Sequence, residues 1–260
     1  MIPSDEEMII GGNQQYHQLS FALIARLNDE RLRRMLRSKI CLALNAMRDP
    51  DFDDGSTLCK ITKDFRERHM NSMGPNAARR FLLYFADYIE CVSREAELRE
   101  QDEILDLASY IIVRRGNSAV RLCFGLIEQA LGIDLPQEVV DDSTFMEAYW
   151  AALDMVWLPN VLGPVFSHVL MMLIRALPGS NSYDMEQSRG LDGNNILTVL
   201  MKEKNINLQA ASDNVGAHFK QLMDRYVEAR ERLPSWGPEI DVDVSRWLAA
   251  TIRWVRGNLE

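Results

Sequence analysis

Apolar positions along this chain recur at helical spacing. Phe81, Phe85, Tyr88 and Val92 step by 4, 3 and 4. Ala211, Val215, Phe219, Leu222, Tyr226, Ala229 and Leu233 step by 4, 4, 3, 4, 3 and 4, with Lys220, Asp224, Arg225 and Glu228 mostly off the stripe. At 3.6 residues per turn, such steps gather apolar side chains on one face. Alternation with period two, the mark of a half-buried strand, is hard to find. The pattern predicts about ten helices, over 18–48, 57–72, 76–100, 103–114, 117–131, 143–158, 162–177, 182–202, 206–232 and 241–257. Ser56 precedes a helical run as an N-cap. Gly132 to Pro136 and Leu233 to Pro238 read as turns. No linker rich in Gly, Ser or Pro divides the helices, and no internal repeat is visible. The expectation is an all-α protein, one helical domain over 1–260 around a central cavity.

Composition narrows the partners. The 260 residues are 47% hydrophobic and 26% charged, enough apolar material for a real core. A net charge of −9 argues against a broad nucleic-acid-binding face. Cys41, Cys59, Cys91 and Cys123 form no C-x-x-C pair, and no His stands at zinc-ligand spacing. They read as buried thiols of a reducing compartment, which implies a cytoplasmic protein. The N-terminus carries no basic region followed by an apolar run, so it does not read as a signal peptide. Val156 to Leu177 is mostly apolar, but Pro159, Pro164, His168 and Arg175 interrupt it. A spanning helix wants about 20 unbroken apolar residues, so no stable membrane span is expected.

The stretch richest in chemistry is Ser182-Tyr183-Asp184-Met185-Glu186-Gln187-Ser188-Arg189-Gly190, followed by Asn194-Asn195. Ser182 and Glu186 share a helix face, and a hydroxyl one turn from a carboxylate can ligate a hard cation such as magnesium. The spacing alone is common. Its context is not. The run from Ser182 to Lys204 resembles the second metal motif of fungal class I terpene synthases, N-D-x-x-S-Y-x-x-E-Q-x-x-G, followed by N-N and an apolar helix. Leu135-Pro136-Gln137-Glu138-Val139-Val140 resembles that family's L-P-x-E-V-V. Arg80-Phe81, Phe85, Asp87-Tyr88, Glu95-Ala96 and Arg99 resemble its R-F-x-x-x-F-x-D-Y helix. Leu208-Gln209-Ala210-Ala211 and Leu233-Pro234-Ser235-Trp236-Gly237 resemble segments C-terminal to its metal helix. Tyr110-Ile111-Ile112-Val113-Arg114-Arg115 resembles its Y-I-x-x-R-R-x-T-x-G, with Asn117 in place of the Thr and Ala119 in place of the Gly.

The resemblance implies a class I terpene synthase fold and a prenyl diphosphate substrate, farnesyl diphosphate in most such enzymes. It implies Mg2+, held by Ser182, Glu186 and, from Leu158-Pro159-Asn160, Asn160. It implies that Arg115 senses the diphosphate, a task suited to a guanidinium that stays charged and grips phosphate oxygens bidentately. Tyr149, Trp150 and Trp157 would line an apolar pocket where aromatic faces hold a carbocation.

Three departures set a competing expectation. The motif Asn should stand 4 residues before Ser182, where Pro178 lies; Asn160 is 22 residues away, which implies about 18 extra residues over roughly 161–178, as a translated intron would add. No D-[DE]-x-x-D motif precedes Arg48-Asp49-Pro50; Asn28-Asp29-Glu30 is a poor substitute, and Asp53-Asp54 reads as a solvated loop. The family's Arg-Tyr pair, beyond Gly257-Asn258-Leu259-Glu260, is missing, so the chain reads as shortened at both ends. The alternatives are therefore an inactive descendant of such an enzyme, or a helical interaction protein that uses 161–177 as a docking helix.

Overall fold

The computed structural model describes residues 42–100, 104–174 and 195–259; the side chains of 96, 97, 99, 100, 160–174 and 259 are not among the groups described. After a helical stretch at 42–48 come α1 (Thr57–His69), a 3₁₀ turn (Met70–Ser72), α2 (Pro75–Glu100), α3 (Leu107–Asn117) and α4 (Val120–Leu131). They are followed by α5 (Gln137–Val140), α6 (Ser143–Ile174), α7 (Ile196–Lys204), α8 (Leu208–Glu231) and α9 (Pro238–Leu259). Among the described residues there is no strand.

Local chemistry starts α1, α2, α3, α8 and α9, at Ser56 as the sequence predicts and elsewhere within four residues of the expected start. Ser56 Oγ accepts the Cys59 N–H at 3.1 Å and opens α1. Asp106 accepts from Ser109 N at 2.9 Å and opens α3. Asn207 accepts from Ala210 N at 2.9 Å and opens α8. Each satisfies an N–H that the first turn leaves without an intrahelical acceptor. Pro238 opens α9, as the fixed φ of proline allows at a first helical position. The N-terminus of α2 is served from a distance. Asp134 Oδ1 accepts the Ala77 N–H at 2.7 Å, so a carboxylate 57 positions away meets the positive end of the helix.

α6 is the centre of the molecule. Ala148, Ala151, Ala152, Leu153, Met155, Val156, Trp157 and Leu158 are all buried, so this part of the helix is enclosed on every side. α8 and α9 pack against it, and α3, α4 and α5 also touch it. The periodic stripe of α8 is the face that meets this core: Ala211, Val215, Phe219, Leu222, Tyr226 and Ala229 are buried. α2 lies across α3 and α4 as an outer layer. Met47, Met73, Ala77 and Phe81 form a separate apolar cluster there.

Several helix ends shift by two to four residues from the expected ones, and two differences bear on the site. Helices over 143–158 and 162–177 were expected to part at Pro159; instead α6 runs from Ser143 to Ile174 without a break. A proline inside a helix costs about 3 kcal/mol. Fully burying one large aliphatic or aromatic side chain contributes roughly 1.5–3 kcal/mol, and Leu153, Met155, Val156, Trp157 and Leu158 are all buried just ahead of it. Packing outweighs the local penalty. The other difference is the joint between α3 and α4, expected at 114–117 and found at Ser118–Ala119. Ser118 N–H closes α3 on Arg114 O at 3.0 Å, and Ala119 then turns the chain with φ 61°. No helix in the described residues is long and apolar enough to cross a membrane.

Candidate functional site

Arg115 sits in the last turn of α3, immediately before the left-handed turn at Ala119. Its neighbour Gly116 lets α2 cross closely: a Cβ there would collide with Cys91 Sγ. Asn117 adds a polar tie, donating from Nδ2 to Glu95 Oε2 at 2.6 Å in the same crossing. The residue that meets Arg115 is Asp154 of α6. Arg115 Nε donates to Asp154 Oδ1 at 2.8 Å, and Nη2 donates to Oδ2 at 2.5 Å. Trp157 Nε1 donates to the same Oδ1 at 2.9 Å. The carboxylate is 3% exposed, whereas the Arg115 side chain is 31% exposed. The pair is closed at its acid end and open at its base end. Hydrogen bonding to Asp154 raises the Arg115 pKa against the opposing effect of burial, so the guanidinium is cationic at any physiological pH.

Aromatic faces complete the surroundings. The Arg115 guanidinium carbon stands 5.0 Å from the Trp150 ring centre. Arg121, across the turn on α4, stands 4.3 Å from the Tyr84 ring and 5.7 Å from Trp150, and donates to Asp87 Oδ2 at 2.8 Å. Two guanidiniums thus flank one indole, at distances where the electron-rich ring face attracts cations.

Of the residues expected at a site, Arg115 and Trp150 are together and partly exposed. Tyr149 and Trp157 are enclosed. Tyr149 stacks on Trp247 at 5.7 Å and meets Phe124 edge-on at 5.5 Å; burial pushes its hydroxyl well above the ordinary range. Trp157 meets Tyr110 edge-on at 6.2 Å while holding Asp154. Ser182 and Glu186 lie outside the described residues, and Asn160 is described only as part of the α6 backbone. Asp154 was not anticipated. Its signal was there, a lone acid in Ala151-Ala152-Leu153-Asp154-Met155-Val156-Trp157-Leu158. Acids are almost never fully buried unless paired, so a carboxylate in such a run demands a cation.

Among the described residues, Asp53, Asp54 and Cys59 are the group whose ligand atoms lie close enough to hold a metal, within 4.8 Å of one another. They do not suit magnesium. A thiol is a poor ligand for a hard cation. The carboxylates already serve their loop: Asp53 accepts Gly55 N–H at 2.8 Å, and Asp54 accepts the Ser56 hydroxyl at 2.7 Å. Those contacts hold both acids below the usual carboxylate range, Asp53 through Gly55 and then Lys63, Asp54 through Ser56. This is the solvated loop expected from the sequence.

The family model described as "Terpene synthase family 2, C-terminal metal binding" matches residues 25–225. The chain belongs to the terpene synthase family. It is 42% identical over 238 residues to a protein of Coprinopsis cinerea named linoleate 10R-lipoxygenase COP4, covering 91% of this chain and 63% of that protein. It is 41% identical over 219 residues to sesquiterpene synthase Agr5 of Cyclocybe aegerita, covering 84% of this chain and 47% of that one. The chain therefore spans less than two thirds of the length of these relatives. Its fold matches that of a linalool/nerolidol synthase from Streptomyces clavuligerus, with TM-score 0.74 and 17% identity, over 92% of this chain and 77% of that one.

Proposed function

We propose that this terpene synthase family member ionises farnesyl diphosphate and cyclises the product to a sesquiterpene, with Arg115 binding the diphosphate. The observation that carries the reading is the half-open Arg115–Asp154 pair, a cation fixed at one edge and accessible at the other. In the reaction the bond between the allylic carbon and the diphosphate oxygen breaks, and its electron pair leaves with the diphosphate. Negative charge develops on those oxygens, and a preset guanidinium stabilises it without reorganising. The allylic cation that remains needs shelter from water and an aromatic face, which Trp150 supplies beside Arg115. Magnesium, held by Ser182, Glu186 and Asn160, would neutralise the diphosphate charge. The test is incubation of the purified chain with farnesyl diphosphate and magnesium, followed by analysis of extracted hydrocarbons. A cyclic sesquiterpene product that disappears in Arg115→Ala supports the proposal; its persistence at the unaltered rate in that variant contradicts it.

One observation favours a second reading, an inactive family member. α6 continues as a helix through 161–174, so the chain leaves Asn160 along at least 14 further helical residues before it can reach Ser182. Residues that must share one ion stand one turn apart in the family motif. A folded chain that binds diphosphate and yields no hydrocarbon would fit this reading.

A further inference from the structure

We infer that Asp154 is a positioning residue for Arg115, presetting one edge of its guanidinium as an anion fork; this rests on the diphosphate reading of Arg115. A guanidinium carries five N–H donors in a rigid plane. Asp154 engages those on Nε and one on Nη2, along the side of the plane. That leaves the second donor on Nη2 and one on Nη1, which together form the end of the plane, and the other Nη1 donor on the far side. Among the described residues nothing accepts from Nη1. The free end is the geometry that matches two phosphate oxygens. Asp154 therefore does not compete with an anion for Arg115; it occupies the other edge and fixes the plane. Its own placement is firm. The carboxylate is nearly inaccessible, receives a third hydrogen bond from Trp157 Nε1, and stands in a run, Ala151 to Leu158, that is buried throughout. Trp150 lies one turn earlier on the same helix and covers the guanidinium at 5.0 Å, so two residues of α6 define the plane of Arg115. A free arginine would have to lose its rotamer freedom on binding; here that loss is already taken in folding.

The experiment is titration calorimetry with inorganic pyrophosphate and magnesium on the unaltered chain and on Asp154→Asn, Arg115→Ala and the double variant. Asparagine keeps the shape and can still accept from Trp157, but it lacks the charge and the second acceptor oxygen. Groups behind metal-ligating residues typically contribute about 10–100-fold in affinity, and by analogy Asp154→Asn is expected to weaken pyrophosphate by about 10-fold. In the Arg115→Ala background the same change is expected to do nothing, a non-additivity that a general loss of structure would not produce. Should Asp154→Asn fail to fold, Asp154→Glu retains the charge while displacing it, and a smaller loss is expected. Unchanged affinity in a folded Asp154 variant, alongside lost affinity in Arg115→Ala, overturns the positioning role and leaves the diphosphate reading standing. Unchanged affinity in Arg115→Ala overturns both, as does absence of binding to the unaltered chain.

Discussion

Among the arginine–carboxylate pairs that join helices in the described residues, Arg80–Glu128 and Arg115–Asp154 differ in how far the arginine is enclosed. Arg80 of α2 donates from Nη2 to Glu128 Oε2 of α4 at 2.6 Å, and to Leu135 O at 2.9 Å. Glu128 also accepts the Leu135 N–H at 2.9 Å. Both side chains are almost wholly enclosed, at 5% and 6%. Arg115 and Asp154 also join two helices, through two hydrogen bonds rather than one, and here the arginine is 31% exposed. A pair closed at both ends can only hold helices in register. A pair closed at one end can hold helices and still present charge. The same two residue classes make a staple in one place and a candidate binding group in the other, and accessibility of the cation separates them.

The largest effect should come from the closed pair. Glu128→Ala leaves Arg80 buried without its counter-ion, a change that typically costs about 3–5 kcal/mol. Urea unfolding should show that loss, and the folded fraction should still bind pyrophosphate. A cost under 1 kcal/mol would mean that the pair is not closed. A smaller effect, of opposite sign, is expected next to the open pair. Ala119 adopts φ 61°, where the family pattern has glycine. A non-glycine residue in that conformation costs about 1–2 kcal/mol, part of which glycine returns as chain entropy in the unfolded state. Ala119→Gly should therefore raise the thermal midpoint by a few degrees, and a lowered midpoint would contradict the strain. The smallest effect concerns pH. Burial lowers the pKa of His218 on α8, opposed by Asp154 and by Gln221, with Arg225 and Arg115 adding to the lowering. The folded chain then binds a proton less readily than the unfolded one. Stability should fall as pH drops below the ordinary imidazole value of 6.5. His218→Gln should flatten that part of the profile, while Glu128→Ala should leave it in place.

Much of the fold was legible because it depends on short-range pattern. The α8 stripe, the Ser56 cap and the turn before Pro238 are each set within a few residues, and each stands where the sequence put it. Pro159 misled because its effect is local and the packing that overrides it is not. α6 is enclosed by helices from distant parts of the chain, and no local signal weighs that burial against a proline. The motif singled out Arg115, and the structure sets it half-buried beside Trp150. Its partner was not legible: Asp154 lies 39 positions away, and nothing in the surrounding apolar run says which cation answers it. Ala119 was visible as a departure from a glycine pattern, but its left-handed turn appears only when α3 and α4 are built around it.

The claim that the open pair is the diphosphate site is tested most directly by thermal unfolding with and without inorganic pyrophosphate and magnesium. A ligand that binds only the folded state raises the midpoint by an amount that grows with the logarithm of its concentration relative to Kd. The unaltered chain should gain several degrees, and Arg115→Ala, folded and otherwise similar in stability, should gain none. An equal gain in both chains would place the anion elsewhere and contradict the assignment of Arg115.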